Sequence, residues 1–82
     1  MSDIRTEILN ALASSNLDAS VEAEVKLALD TSSTRGNSVG RILDDSSLNN
    51  TEKADQLSVL AITGPGGVAG AIAIGIIIGI LL

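Results

Sequence analysis

Apolar residues recur every three or four positions through the first 29 residues, which is the spacing of an amphipathic helix. This pattern predicts a helix over residues 3–14 and a second helix over residues 18–29. Ser2 or Asp3 is expected to cap the first helix. The apolar stripes of the two helices are formed by Ile4, Ile8, Leu12, Val21, Val25 and Leu29.

The pattern weakens after Leu29, where polar residues dominate. Gly36 and Asn37 are typical helix breakers, so residues 30–38 are predicted to form a loop. A short helix is predicted over residues 39–43, and a second loop over residues 44–50. The apolar faces of the whole segment from residue 1 to residue 50 contain only Ile, Leu, Val and Ala, apart from Met1. They are expected to be too thin for a core of their own and to need copies or a partner.

The next helix has a recognisable start, because Asn49 is followed three residues later by Glu52. This spacing matches a capping box with Asn in place of Ser or Thr, and predicts a helix over residues 51–63. Pro65 lacks the N–H that a helix interior requires. We therefore predict a kink or break at Gly64 and Pro65, with a new helix beyond it.

Taken together, the pattern predicts an all-α fold with a short amphipathic helical head over residues 1–50. A connecting helix over 51–63 leads to one Gly/Ile-rich hydrophobic helix over 64–82. No charged residue occurs from Gln56 to Leu82. A helix over residues 66–82 is roughly 25 Å long, slightly short of a hydrocarbon core of about 30 Å. An apolar span that begins at Leu57, with a kink at Pro65, is long enough to cross this hydrocarbon core. The sequence therefore predicts a single transmembrane crossing.

Small residues in the C-terminal segment recur every four positions. They predict a helix–helix packing seam, since small side chains let two backbones approach closely. The seam consists of Gly67, Ala71, Gly75 and Gly79, with Gly66 and Gly70 beginning a second strip beside it. Three alternatives remain open: the spacing reflects composition alone, the Ile-rich run is a buried strand, or many copies bury their tails in a shared apolar core.

Composition and charge exclude several classes of function. The chain has no His, Cys or aromatic residue, and its formal net charge is -5. An acidic protein without stacking aromatics is not expected to bind nucleic acid directly. Without imidazole or thiol groups we expect no enzyme activity, no cofactor and no metal site. The adjacent Asp44 and Asp45 lack the spacing of a calcium loop, and the glycines around Pro65 lack the lysine of a P-loop.

The sequence therefore indicates a small non-enzymatic structural subunit of a membrane-associated or helical assembly, most naturally a virion membrane or coat-type protein. Its expected partners are many copies of itself, together with a lipid bilayer or an apolar assembly core. A membrane location is expected, although the first residues do not form a signal peptide. Two alternatives are a holin-like or pore-forming protein and a C-terminally anchored adaptor.

Overall fold

The computed structural model describes residues 4–64 and 66–82, and this part of the chain is all-helical. The predicted all-α class is therefore confirmed. The second and fourth helices begin within one residue of their predicted starts. The predicted start and cap of the first helix, at Ser2 and Asp3, lie outside the described residues. The five helices are α1 (Ile4–Ser14), α2 (Ala19–Leu29), α3 (Thr34–Leu43), α4 (Asn50–Thr63) and α5 (Gly67–Leu81).

The third helix differs from the prediction, because it begins at Thr34 and not at Val39. Ser33 caps it by accepting a hydrogen bond of 2.8 Å from the N–H of Gly36. This cap satisfies one of the free N–H groups of the first turn. Gly36 and Asn37 therefore lie inside the helix, and the predicted loop over residues 30–38 was wrong in its second half.

The fourth helix begins with the predicted capping box. The Asn49 side chain accepts from the Glu52 N–H at 2.8 Å, and the Glu52 carboxylate accepts from the Asn49 N–H at 3.0 Å. The helix ends at Thr63, and the backbone of the following Gly64 is extended. Gly66 has a φ of 105° and stands at the start of α5. Pro65, the other half of the predicted break, lies outside the described residues.

α4 and α5 pack together as an antiparallel hairpin. The Asn50 side-chain amide at the start of α4 donates to the Leu81 carbonyl at the end of α5, at 3.3 Å. α5 also packs on α2, α2 on α3, and α3 on α4, so these four helices contact one another in a closed ring. α1 packs against α2 and α5.

The hydrophobic core draws on all five helices. Its fully buried members include Ile8, Val25, Val39, Leu57 and Ile77. The amphipathic head is therefore packed around α5, and α5 supplies the apolar surface that the head was expected to lack.

The transmembrane prediction is not supported. Among residues 4–64 and 66–82, no helix is both long enough and apolar enough to cross a membrane. The physical reason is the break near Gly64 and Gly66, which divides the charge-free stretch between two helices. α5 has 15 residues and is roughly 22 Å long, which is less than the hydrocarbon core of about 30 Å.

Candidate interaction surface

One side of α5 faces outward and is apolar over its whole length. Val68 is 78% exposed and Ile72 52% exposed, and the adjoining Leu82 is 75% exposed. Gly75 and Gly79 lie between them on the same side, because residues three and four apart share a helix face. We call these five residues the outer face of α5. The opposite side of the helix is buried in the core through Ala73, Ile74, Ile77 and Leu81.

The predicted seam is divided between these two sides. Gly70 is buried and Ala71 half-buried, whereas Gly67, Gly75 and Gly79 are exposed. A Cβ atom added at any of these three exposed glycines would meet no atom within 4 Å. The exposed glycines therefore serve no packing contact within the described chain, and the seam stays a prediction about contacts with another molecule.

Gly66, the remaining seam residue, has a different role. Its φ of 105° lies in the left-handed region, which side chains other than glycine rarely adopt. A Cβ atom there would overlap the guanidinium of Arg35. Arg35 is buried and forms a 2.7 Å ion pair with Glu24. Gly66 thus lets the backbone at the start of α5 lie directly on a buried arginine.

Two apolar grooves open on the surface. The first has a volume of about 290 Å³, lies between α2 and α5, and is lined by Ser20, Val21, Glu24, Ala69 and Ile72. The second has a volume of about 330 Å³, lies between α3 and α4, and is lined by Ile42, Gln56, Val59, Leu60 and Thr63. The α2–α5 groove adjoins the outer face of α5 because Ile72 belongs to both.

The α3–α4 groove was missed by sequence reasoning. Val59 is 61% exposed and the nearby Ile62 86% exposed, while Ala54 and Leu57 bury the other side of α4. The signal was present in the sequence. Val59 and Ile62 lie three apart and therefore on one face, well away from Leu57 around the helix.

Three aspartates, Asp30, Asp44 and Asp45, form hydrogen bonds or ion pairs with nearby side chains and backbone. Asp44 accepts two hydrogen bonds from Arg5, at 2.7 and 2.9 Å, and this arginine holds the pKa of Asp44 below its usual range. Hydrogen bonds from Ser32 lower the pKa of Asp30, and those from Ser47 lower the pKa of Asp45. Asp30 and Asp45 each bind the hydroxyl and the N–H of the serine two residues later, which fixes a turn.

Within the described ranges, no three acidic side chains come close enough to hold a metal ion. The adjacent pair Asp44 and Asp45 takes part in other interactions, Asp44 with Arg5 and Asp45 with Ser47. The outer face of α5 and the two grooves are apolar surfaces on which another molecule could bury apolar side chains. No family model, curated protein or solved structure matches this chain significantly.

Proposed function

We propose that this chain is a non-enzymatic structural subunit that assembles with copies of itself through the outer face of α5. A virion membrane or coat-type protein is the kind of multi-copy protein that fits this description. One observation supports the proposal above all: a face without a single polar side chain runs the length of α5, in a protein with net charge -5. Contiguous exposed apolar surface of this kind is typical of interaction sites.

The glycines on this face favour a helix as the partner element. Gly75 and Gly79 have open space in front of them, and they are flanked by the larger Ile72 and Leu82. A neighbouring helix can approach closely at the glycines while its own side chains pack beside the isoleucine. The buried side of α5 stays in the core during such contact, so assembly requires no unfolding of the subunit.

The proposal is tested by the double variant Gly75→Leu and Gly79→Leu. Both new side chains point into open space, so the monomer is expected to keep its helical circular dichroism spectrum. Their bulk would hold a neighbouring helix away, and we expect the association constant to fall about tenfold or more, as measured by analytical ultracentrifugation.

A matched control is the double variant Thr6→Leu and Ala13→Leu, which adds apolar bulk at exposed positions of α1, away from the outer face of α5 and from both grooves. It is expected to leave association unchanged. A wild-type protein that stays monomeric at every accessible concentration would contradict self-assembly. Assembly that is equally strong in the glycine variant and the wild type would contradict the close approach at α5.

A membrane-active function is the second candidate, and the charge-free stretch from Gln56 to Leu82 is the observation in its favour. This stretch forms the end of α4 and all of α5, joined at Gly64 and Gly66. Opening of the α4–α5 hairpin would offer its apolar surface to a bilayer, at the cost of the core. Dye release from zwitterionic vesicles separates the candidates, since a structural subunit is expected to leave vesicles intact.

A further inference from the structure

The first turn of α5 is the part of this helix that apolar contacts hold least. Residues 66–69 are all exposed, and burial begins at Gly70. From Gly70 to Leu81 one side of the helix is buried in the core. A segment with few buried apolar contacts has a low free energy of local opening. The first turn of α5 therefore depends on some other contact to stay in place.

The backbone of this turn is also a poor helix start. Gly66 and Gly67 have φ angles of 105° and 60°, both in the left-handed region. Gly66 stands at the N-cap position and has no side chain with which to cap the helix. By contrast, α3 and α4 begin with capping side chains, from Ser33 and Asn49. With a further glycine at Gly70, the first turn of α5 has a low helix propensity.

The guanidinium of Arg35 lies directly beneath this turn, because a Cβ atom at Gly66 would overlap it. The Arg35 side chain is only 10% exposed. Its Nη1 atom donates to a carboxylate oxygen of Glu24 at 2.7 Å and to the Glu24 carbonyl oxygen at 3.4 Å. Its Nε atom is buried and has no hydrogen-bond partner, which is costly in a protein interior. Glu24 is therefore the residue that balances this buried cation.

The position of the cation is electrostatically unfavourable for α5. The N-terminus of a helix carries a partial positive charge of about half an elementary charge. The guanidinium beside Gly66 faces this partial charge, and the two repel each other. The Glu24 carboxylate offsets the repulsion, since it pairs with Arg35 and lines the same groove as Ala69 of the first turn. The negative charge of Glu24 thus allows Arg35 to lie beneath α5.

From these observations we infer that the ion pair of Glu24 and Arg35 is a latch for the first turn of α5. While the pair is intact, residues 66–69 stay against the body of the protein. When Glu24 loses its charge, Arg35 repels the helix start, and this turn opens about Gly66 and Gly67 while the other helices stay folded. The inference concerns the single subunit and rests on neither candidate function. Opening of the turn would also loosen the α4–α5 hairpin, which is the change that the membrane-active candidate requires.

The test is amide hydrogen exchange of the full chain, measured by NMR at a concentration where it is monomeric. The N–H of Gly70 donates to the Gly66 carbonyl at 3.0 Å, and helical geometry pairs the next three amides with residues 67–69 in the same way. Opening of the first turn frees these four amides together. In Glu24→Gln we expect exchange at residues 70–73 to rise about tenfold or more, because an unpaired buried cation stays beneath the helix. The amides of Val25, Val39 and Leu57 report global unfolding and are expected to change less.

Two controls separate the latch from a general loss of stability. Asp44→Asn removes the carboxylate of the Arg5–Asp44 pair, which has the same distance of 2.7 Å, and is expected to change exchange at residues 70–73 no more than in the core. The double variant Glu24→Gln and Arg35→Met removes both charges of the latch. Because apolar replacement of a buried ion pair is often neutral, exchange at residues 70–73 is expected to return to within about threefold of the wild-type rate.

Three outcomes would overturn the latch. Exchange at residues 70–73 that is unchanged in Glu24→Gln, or that rises only as much as in the core, would assign the pair to the stability of the whole fold. A double variant as open as Glu24→Gln would show that the charge of Arg35 is not the cause. If Glu24→Gln does not fold, Glu24→Asp withdraws the carboxylate by one methylene group, and a local rise of about threefold is expected; no rise overturns the inference. Self-assembly and vesicle binding can each fail without affecting these results.

Discussion

The glycines of α3 and those of α5 are in opposite environments. In α3, a Cβ atom at Gly36 would overlap the carbonyl of Asp30, and one at Gly40 would come within 2.5 Å of the Arg5 guanidinium. In α5, Gly75 and Gly79 have no neighbour within 4 Å. α3 is the more polar helix, yet its Gly36 is the glycine whose Cβ atom would meet fixed backbone. Gly75 and Gly79 of the hydrophobic helix face open space.

This contrast shows that a glycine-rich segment is not by itself evidence of tight packing within the chain. Glycine lowers helix stability by roughly 1 kcal/mol relative to alanine. In α3 this cost is offset by close contact between helices and turns. At Gly75 and Gly79 of α5 no contact within the described residues offsets it, and the proposed assembly supplies a reason for it.

The largest effect is expected for Gly36→Ala. The new methyl group meets the backbone carbonyl of Asp30, which cannot move without disrupting the turn and the Ser33 cap. We expect a loss of about 2–4 kcal/mol in the free energy of unfolding, measured by urea denaturation. Gly40→Ala is the matched comparison, since the flexible end of Arg5 can move aside there. Equal stability of the two variants would contradict the difference between these glycines.

A smaller effect of opposite sign is expected for Gly75→Ala and Gly79→Ala. Each methyl group enters open space and removes the entropic penalty of glycine, so the monomer should gain up to about 1 kcal/mol per site. Thermal unfolding at low protein concentration measures this gain. A loss of stability at either position would mean that these glycines are needed within the chain, and the comparison with α3 would fail.

The smallest effect concerns the Arg5 side chain that lies over Gly40. Its partner Asp44 has a lowered pKa in the folded state, so the ion pair stabilises the fold above the usual aspartate pKa of about 3.9. This stabilisation is lost as the pH falls through the lower, folded-state pKa. Because Asp44 is exposed, the effect is expected to stay below about 1 kcal/mol.

The variant Asp44→Asn isolates this contribution. It is expected to lower the free energy of unfolding near neutral pH and to flatten its decrease between pH 4 and more acidic conditions. Urea denaturation over a series of pH values gives both quantities. An unchanged pH dependence would mean that the Arg5–Asp44 pair does not contribute to stability in solution.

Features set by neighbouring residues could be predicted from the sequence. The capping box of Asn49 and Glu52 is local, and α1 and α2 follow from regular apolar spacing. The start of α3 was missed because Gly36 and Asn37 are usually read as helix breakers. Glycine is necessary at position 36 because of the close approach of the Asp30 carbonyl. This contact depends on the turn before the helix, so the spacing of apolar residues cannot predict it.

The position of α5 could not be predicted for a different reason. A helix that is apolar all round suits the centre of a protein as well as a membrane, and its sequence does not distinguish the two. Only the packing against α2 and α4 divides it into a buried side and an outer face. The α2–α5 groove and the α3–α4 groove each arise from a pair of helices, so the sequence shows the apolar face of Val59 and Ile62 but not the groove beside it.

The contact between Gly66 and Arg35 has a consequence for how this protein can vary. The flat guanidinium fits beneath a backbone that lacks a Cβ atom, and it reaches Glu24 from there. A lysine at position 35 would keep the charge but not the planar shape, so it is a poor substitute. A side chain at position 66 would also have to adopt the left-handed backbone with a φ of 105°, and a smaller residue at position 35 would not relieve that strain. Position 66 is therefore expected to stay glycine among related sequences, whatever residue stands at position 35.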